Sequence, residues 1–369
     1  MPTYDWSRSV NTTMRNYIRG AEVNVFRNRK LTGLMQRKGR ITYNWPGLAM
    51  DYKVVYKRVH PTPSADGDLL IFDRKDRYKT ATLDWRGYVG TDSMTKGEFL
   101  KNRGREAIIK VYSSIAENLM SDLEATFNDE FYCDGYAPGN QKRIHGVESF
   151  FANCLYTTAT PSMVGSGACQ PNRVYAGIST VPGYYGGTWN PGGYVAWPNG
   201  FGDEHYDFWS PVICNYNDTF FNTTDHTWPT NCVEAVSFAL IKSRKVKSVR
   251  GQIDLVLMDD EMYRQYVKQQ RTKEQIHILR GTESALVALG FTDVINQDGA
   301  DISSEWGFNG VAYCFNVDMM ELRSQQAQVF VPNGPNFNWT TRSWEFSLDF
   351  YGNISINPRF QAKILSQTI

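Results

Sequence analysis

One apolar stripe between residues 95 and 128 limits what this 369-residue chain can fold into. Thr95 and Glu98 form a capping box with Thr95 as N-cap, and Met94 and Phe99 fall at the staple positions. Ile108, Val111, Ile115, Leu119, Leu123 and Phe127 then recur at spacings of three and four, the pattern of a helix buried along one face. Glu106 and Lys110 add an i,i+4 pair on the exposed side. A continuous helix from Lys96 to about Asn128 would be roughly 50 Å long at 1.5 Å per residue. Gly104 is the one point at which it would break. So long a helix exceeds what a small core needs and predicts a body laid out along it.

The segments on either side are of different kinds. Residues 41–90 read as a long β-hairpin, with strands Met50–Val59 and Lys79–Val89 rich in Val, Thr and Tyr. The span His60–Asp68 between them is full of turn residues, and charges crowd Asp73–Arg77. So polar a hairpin predicts a projecting arm rather than a core element. Beyond the helix the pattern is α+β. A helix is predicted over Cys232–Arg244, then a strand over Gln252–Met258. A second helix has Asp259 as N-cap and Met262, Tyr263, Tyr266 and Val267 as its apolar face. A strand at Trp344–Tyr351 is followed by a predicted turn at Gly352-Asn353 and a short strand at Ile354–Ile356. Residues 160–230 are dense in Gly, Pro and Asn, and 14 of the 54 residues from Tyr175 to Trp228 are aromatic. They read as an irregular insertion folded around its own rings.

The net charge of +1 hides an asymmetry. Residues 1–110 hold 22 Lys+Arg against 11 Asp+Glu, and the remainder hold 17 against 27. A basic front and an acidic back predict attraction between copies of the chain, or contact of the front with nucleic acid. Arg27, Arg29, Lys30, Arg37, Lys38 and Arg40, with Arg74, Lys75, Arg77 and Lys79 on the hairpin, are the candidate intersubunit contacts.

Chemistry-bearing patterns are scarce. The histidines, His60, His145, His205, His226 and His277, include no i,i+4 pair, and HExxH, P-loop, GxGxxG and GxSxG motifs do not occur. The six cysteines are irregularly spaced without a CxxC pair, which predicts reduced thiols. No catalytic residue, cofactor or metal ligand is therefore assigned. Asp203, Glu204 and Asp207 around His205 are the one acidic cluster beside a histidine, and could bind calcium or supply paired carboxylates for glycoside hydrolysis. With the aromatics of 175–228 they define an alternative, a carbohydrate-binding or carbohydrate-active protein. A second alternative is another structural role, such as a tail or receptor-binding module, for which repeats or a β-rich chain would be expected. No apolar run approaches the ~18 residues of a membrane span, and the N-terminus lacks a signal-peptide plan.

The order of parts resembles the tailed-bacteriophage major capsid proteins of the Hong Kong 97 type. Arg27–Lys30 and Lys38–Asn44 look like the end of the arm, and Ala81–Tyr88 like the returning strand of the extended loop. Asn102–Ile109 looks like the spine helix, Ile144–Phe150 like the start of the body, and Gly352-Asn353 with Asn357–Arg359 like the closing strand. The resemblance implies an α+β capsid fold with an N-terminal arm (1–42), an extended loop (43–92), a peripheral domain (93–150 and 336–369) and an axial domain (151–335) holding the insertion at about 160–230. It also implies many copies forming pentamers and hexamers of an icosahedral shell around double-stranded DNA, assembled in the host bacterial cytoplasm. Scaffolding, portal and decoration proteins are the expected partners. The chain opens directly into the arm, so a scaffolding segment is expected to be separate or already removed.

Overall fold

The computed structural model describes residues 29–55, 63–69, 72, 74, 77–97, 118–123, 125–151, 174–180, 209–217, 221–222, 224–243, 252–272 and 286–366. Two mixed sheets organise them.

The first clue to the architecture is a strand without polar residues. β8 (Leu255–Met258) is buried at every position, as expected of a strand covered on both faces. It belongs to a six-stranded sheet with β7 (Val212–Asn215), β9 (Ile295–Gln297), β10 (Ala300–Ser304), β11 (Val311–Phe315) and β15 (Ala362–Leu365), in the order β7-β15-β11-β8-β10-β9. β5 (Val174–Tyr175) and β6 (Ile178–Ser179) form a separate antiparallel pair. Alternation assigns the side chains to two cores. Val256, Met258, Ala312 and Cys314 face one apolar cluster, and Leu255, Leu257, Tyr313 and Phe315 face the other.

Two helices close the first of these clusters. α3 (Trp228–Ser243) buries Cys232, Ala235, Val236, Ala239 and Leu240, a stripe at spacings of three and one. α4 (Asp260–Thr272) contributes Met262 and Tyr266, with Tyr263 and Val267 packed at the margin. It joins the parallel pair β8 and β10, a connection that parallel strands require. α3 starts at Trp228, four residues before its predicted start. The Asp225 carboxylate accepts hydrogen bonds from the Thr227 amide (3.1 Å) and the Thr230 hydroxyl (2.5 Å), and Pro229 is tolerated in a first turn. Two shorter helices precede them in the chain, α1 (Lys30–Arg37) and α2 (Glu148–Phe151).

The second sheet is built on β14 (Ser343–Ile356), a 14-residue strand. β13 (Val331–Asn338) and β12 (Met320–Ser324) pair along one edge of it, and β1 (Ile41–Thr42) extends β12 in parallel. The ten-residue β4 (Arg86–Thr95) pairs antiparallel along the opposite edge. Residues 118–123 and 125–130 are helical and pack beneath this sheet. The Phe127 ring meets Phe350 at 4.8 Å, Phe131 at 5.2 Å and Phe330 at 5.6 Å, all edge to face. Gly90 of β4 admits the helix closely, since a Cβ there would lie 3.0–3.1 Å from methyls of Leu119 and Leu123. Leu119, Leu123 and Phe127 of the predicted stripe thus face the core, while Gly104, Ile108, Val111 and Ile115 lie outside the described residues.

Three expectations are corrected. The predicted strand Lys79–Val89 is two strands. β3 (Tyr78–Leu83) pairs with β2 (Met50–Val55) as the hairpin, and after Asp84-Trp85 the chain leaves for β14 as β4. The hairpin base is not too polar for the core, because Met50, Val54, Ala81 and Leu83 alternate onto one face and are buried there. Gly352-Asn353 is no turn but the middle of β14. The backbone passes so near β12 that a Cβ on Gly352 would stand 2.4 Å from the Arg323 carbonyl oxygen, and the Asn353 amide is fully occupied by neighbouring segments.

Candidate assembly surfaces

α1 carries Leu31, Leu34 and Met35 on one side, all buried in the core shared by the two sheets. That burial fixes where its charges go. Arg29 pairs with Glu305 (3.5 Å), Lys30 with Asp293 (3.0 Å), Lys38 with Asp254 (2.8 Å) and Asp318 (3.4 Å), and Arg40 with Asp318 (3.2 Å). Lys30 also donates to the Ser304 carbonyl at 2.6 Å. Burial raises the carboxyls of Asp254 and Glu305 above their ordinary range, with Lys38 and the Arg29–Lys30 pair acting against it. The basic front and the acidic back therefore meet within one chain at these four positions. Arg37 sits in the last turn of α1. Arg27 and Lys75 lie outside the described residues.

The hairpin differs. Arg74 and Arg77 are exposed and Lys79 is half-buried on β3. The apolar side chains were not singled out from the sequence, yet Leu69 is 89% and Phe72 92% exposed beyond the buried hairpin base. The signal was present in Leu69-Leu-Ile-Phe72, an apolar run inside a turn-rich, charged segment.

Titratable groups inside the body are committed to structure. Glu130 accepts from Arg143 Nε (2.8 Å) and from the Tyr88 hydroxyl (2.7 Å), which in turn accepts from the Ile144 amide. Burial alone would raise the Glu130 carboxyl, but these donors hold it below its ordinary range. Glu148 accepts from Lys363 Nζ at 2.5 Å and from the Tyr313 hydroxyl. Burial pushes the thiols of Cys133 and Cys314 up to about 12, leaving them protonated and poor nucleophiles. Among the described residues no three His, Cys, Asp or Glu side chains group as a metal site. Among them, too, no helix is long and apolar enough to cross a membrane.

Four of the aromatics of the Gly-rich region that fall within the described residues are core residues, and Tyr216 is half-buried at the margin. Tyr175, Trp209, Phe221 and Trp228 are buried, with Tyr175 stacked on Trp209 at 6.0 Å and Trp228 Nε1 donating to the Met262 carbonyl at 2.9 Å. They offer no open platform for a sugar. Asp203, Glu204 and Asp207 lie outside the described residues.

The chain is similar in fold to a chain of the cyanophage A-1(L) capsid asymmetric unit, with TM-score 0.53 and 14% identity over 89% of this chain and 91% of that one. The capsid of cyanophage P-SCSP1u aligns at TM-score 0.48 and 10% identity over 89% and 86%. No protein-family model and no curated protein matches the sequence. The chain thus shares its fold with a cyanophage capsid protein, mixed helix and sheet as the resemblance implied.

Proposed function

We propose that this chain is a shell-building structural subunit of a tailed bacteriophage. Copies form pentamers and hexamers of an icosahedral capsid that encloses double-stranded DNA. The carrying observation is the capsid fold across nine-tenths of the chain, shared with the cyanophage A-1(L) subunit. In this reading the β14 sheet with helical residues 118–123 and 125–130 is the peripheral part, and the six-stranded sheet with α3 and α4 is the axial part. That moves β12 and the start of β13 out of the expected axial bounds of 151–335, and β15 out of the expected peripheral bounds of 336–369. The hairpin reaches a neighbouring copy, using Leu69 and Phe72 with Arg74, Lys75, Arg77 and Lys79 around them. Such contacts are individually weak, and symmetry repeats them until a shell closes. Scaffolding and portal proteins complete the assembly, and decoration proteins suit its outer surface. Contact with DNA runs through phosphates, without sequence preference, and weakens with salt.

The test is deletion of Thr62–Asp76. A soluble, folded subunit that no longer forms closed shells is expected. Normal shells from the deletion variant would remove the hairpin from the account. Nuclease protection of DNA in particles recovered from infected cells checks enclosure, and its absence would contradict that part.

A further inference from the structure

β4 has an edge with no strand partner among the described residues. Its pairing with β14 is unbroken from Ser343↔Thr95 to Gly352↔Arg86, with no bulge. The Lys96 amide donates to the Arg342 carbonyl at 3.0 Å, which continues the same register. Even-numbered residues therefore direct their backbone groups at β14, and Gly87, Val89 and Thr91 direct theirs outward. Sheet edges are usually blunted by lysine, proline, a bulge or an inward charge. From Gly87 to Thr95 there is no lysine, arginine or proline, and Val89 is 54% exposed. Beneath this edge Leu119 and Leu123 remain only partly buried.

We propose that this edge pairs with β4 of a second copy, antiparallel, about a two-fold axis at Val89. Three observations select that occupant and register. An antiparallel edge is self-complementary, so one surface serves both partners, as two-fold contacts require. Centring on Val89 sets outward groups against outward groups: Val89 faces Val89, and Gly87 faces Thr91, each facing pair exchanging two hydrogen bonds. The same centring sets Arg86 directly opposite Asp92 at both ends. These two side chains project from the same face of β4, since they are six residues apart. Asp92 is exposed. Within the subunit, and among the described residues, the partly exposed Arg86 guanidinium reaches an acidic partner, Asp84, only at 4.0 Å. Opposite charges facing each other across strands favour this register over its neighbours. The pairing joins the two β14 sheets into one continuous sheet and covers Leu119 and Leu123 of both copies.

The inference rests on the shell-building reading and adds a specific two-fold contact to it. The experiment uses the full chain with Val89→Cys, mildly oxidised in its assembled form and resolved without reductant, beside the parent chain with its six native cysteines. Facing Cα atoms of an antiparallel pair lie within disulfide range, so a dimer band at least about five-fold above the parent is expected, with mass spectrometry placing the link between residue 89 of both copies. Asp92→Arg in this background should remove the band, and adding Arg86→Asp should restore it. Particles that form normally without an 89–89 link overturn the inference and leave the shell reading standing. This holds whether the introduced thiol reacts with maleimide or is shielded by some other segment. Absence of any particle overturns the shell reading, and a soluble chain that then shows no 89–89 dimer overturns this inference as well.

Discussion

The Asn353 side-chain amide stands 2.8 Å from Nδ1 of His145 in the buried centre of the subunit. The same side chain donates to the Asp84 carbonyl at 2.7 Å and accepts from the His145 amide at 3.1 Å and the Ile354 amide at 2.8 Å. One residue in the middle of β14 thus ties down both the break between the hairpin and β4 and the segment that begins the body. Asn353→Ala leaves the Asp84 carbonyl and the His145 amide unsatisfied. At about 1–3 kcal/mol for each buried orphan, the variant should lose about 2–4 kcal/mol in urea unfolding. A loss below about 0.5 kcal/mol, the level of an ordinary surface change, would refute this role.

His145 gives the fold an acid-sensitive centre. Burial, with Arg86 nearby, lowers its pKa from 6.5 to about 4, against the opposite pull of Asp84, Asp134 and the Asn353 hydrogen bond. The folded pKa lies below the unfolded one, so on acidification the unfolded chain takes the proton first. Above about pH 6.5 this contributes no pH dependence. Between about 6.5 and 4 stability falls, by about 3 kcal/mol at most. His145→Gln should flatten that part of a melting-temperature profile. An unchanged slope would assign it to other groups.

Two glycines of the β14 sheet should differ in tolerance. At Gly352 a Cβ meets the Arg323 backbone carbonyl at 2.4 Å, whereas at Gly90 it meets only leucine methyls at 3.0–3.1 Å. Backbone cannot yield as a flexible side chain can. Gly352→Ala should therefore destabilise by about 2–4 kcal/mol and Gly90→Ala by about 1 kcal/mol or less, compared by thermal unfolding. The reverse order would mean that β12 and β14 pack less tightly than described.

The α1 ion pairs should act within a single subunit. Lys38 and its partners Asp254 and Asp318 are partly exposed, at 24–29%, so their coupling is modest and screened. A double-mutant cycle of Lys38→Ala with Asp254→Ala, in unassembled protein, should give about 1 kcal/mol at low salt and less at 1 M. Zero coupling in the subunit with strong coupling in assembled particles would return these charges to the interface between copies.

Periodicity made the helices, the hairpin and β8 legible, but not the short strands β7, β9 to β13 and β15. The stripe ending in Leu119, Leu123 and Phe127, the Asp259-led helix and the hairpin were readable because burial repeats at fixed spacing. The ion pairs of Lys30 and Lys38 were not, since composition reports an excess of charge but not whether its partner is in the same chain. Gly352-Asn353 looked like a turn because local propensity favours one. The closeness of β12 and the buried polar partners of Asn353 override it, and neither is visible within a short window. The exposed Leu69 and Phe72 were overlooked because the charges around them dominate that segment. Which edge of β4 lacks a strand partner among the described residues depends on which strands pair, and a single strand's sequence does not carry that information.

Shell building is tested by electron microscopy of the purified chain across a salt series, with light scattering on the same samples. Closed shells, tubes or rings with five- and six-fold capsomers are expected, dissolving or reorganising as salt weakens charged contacts. A chain that stays strictly monomeric at every salt concentration, even with a scaffolding protein supplied, would contradict it.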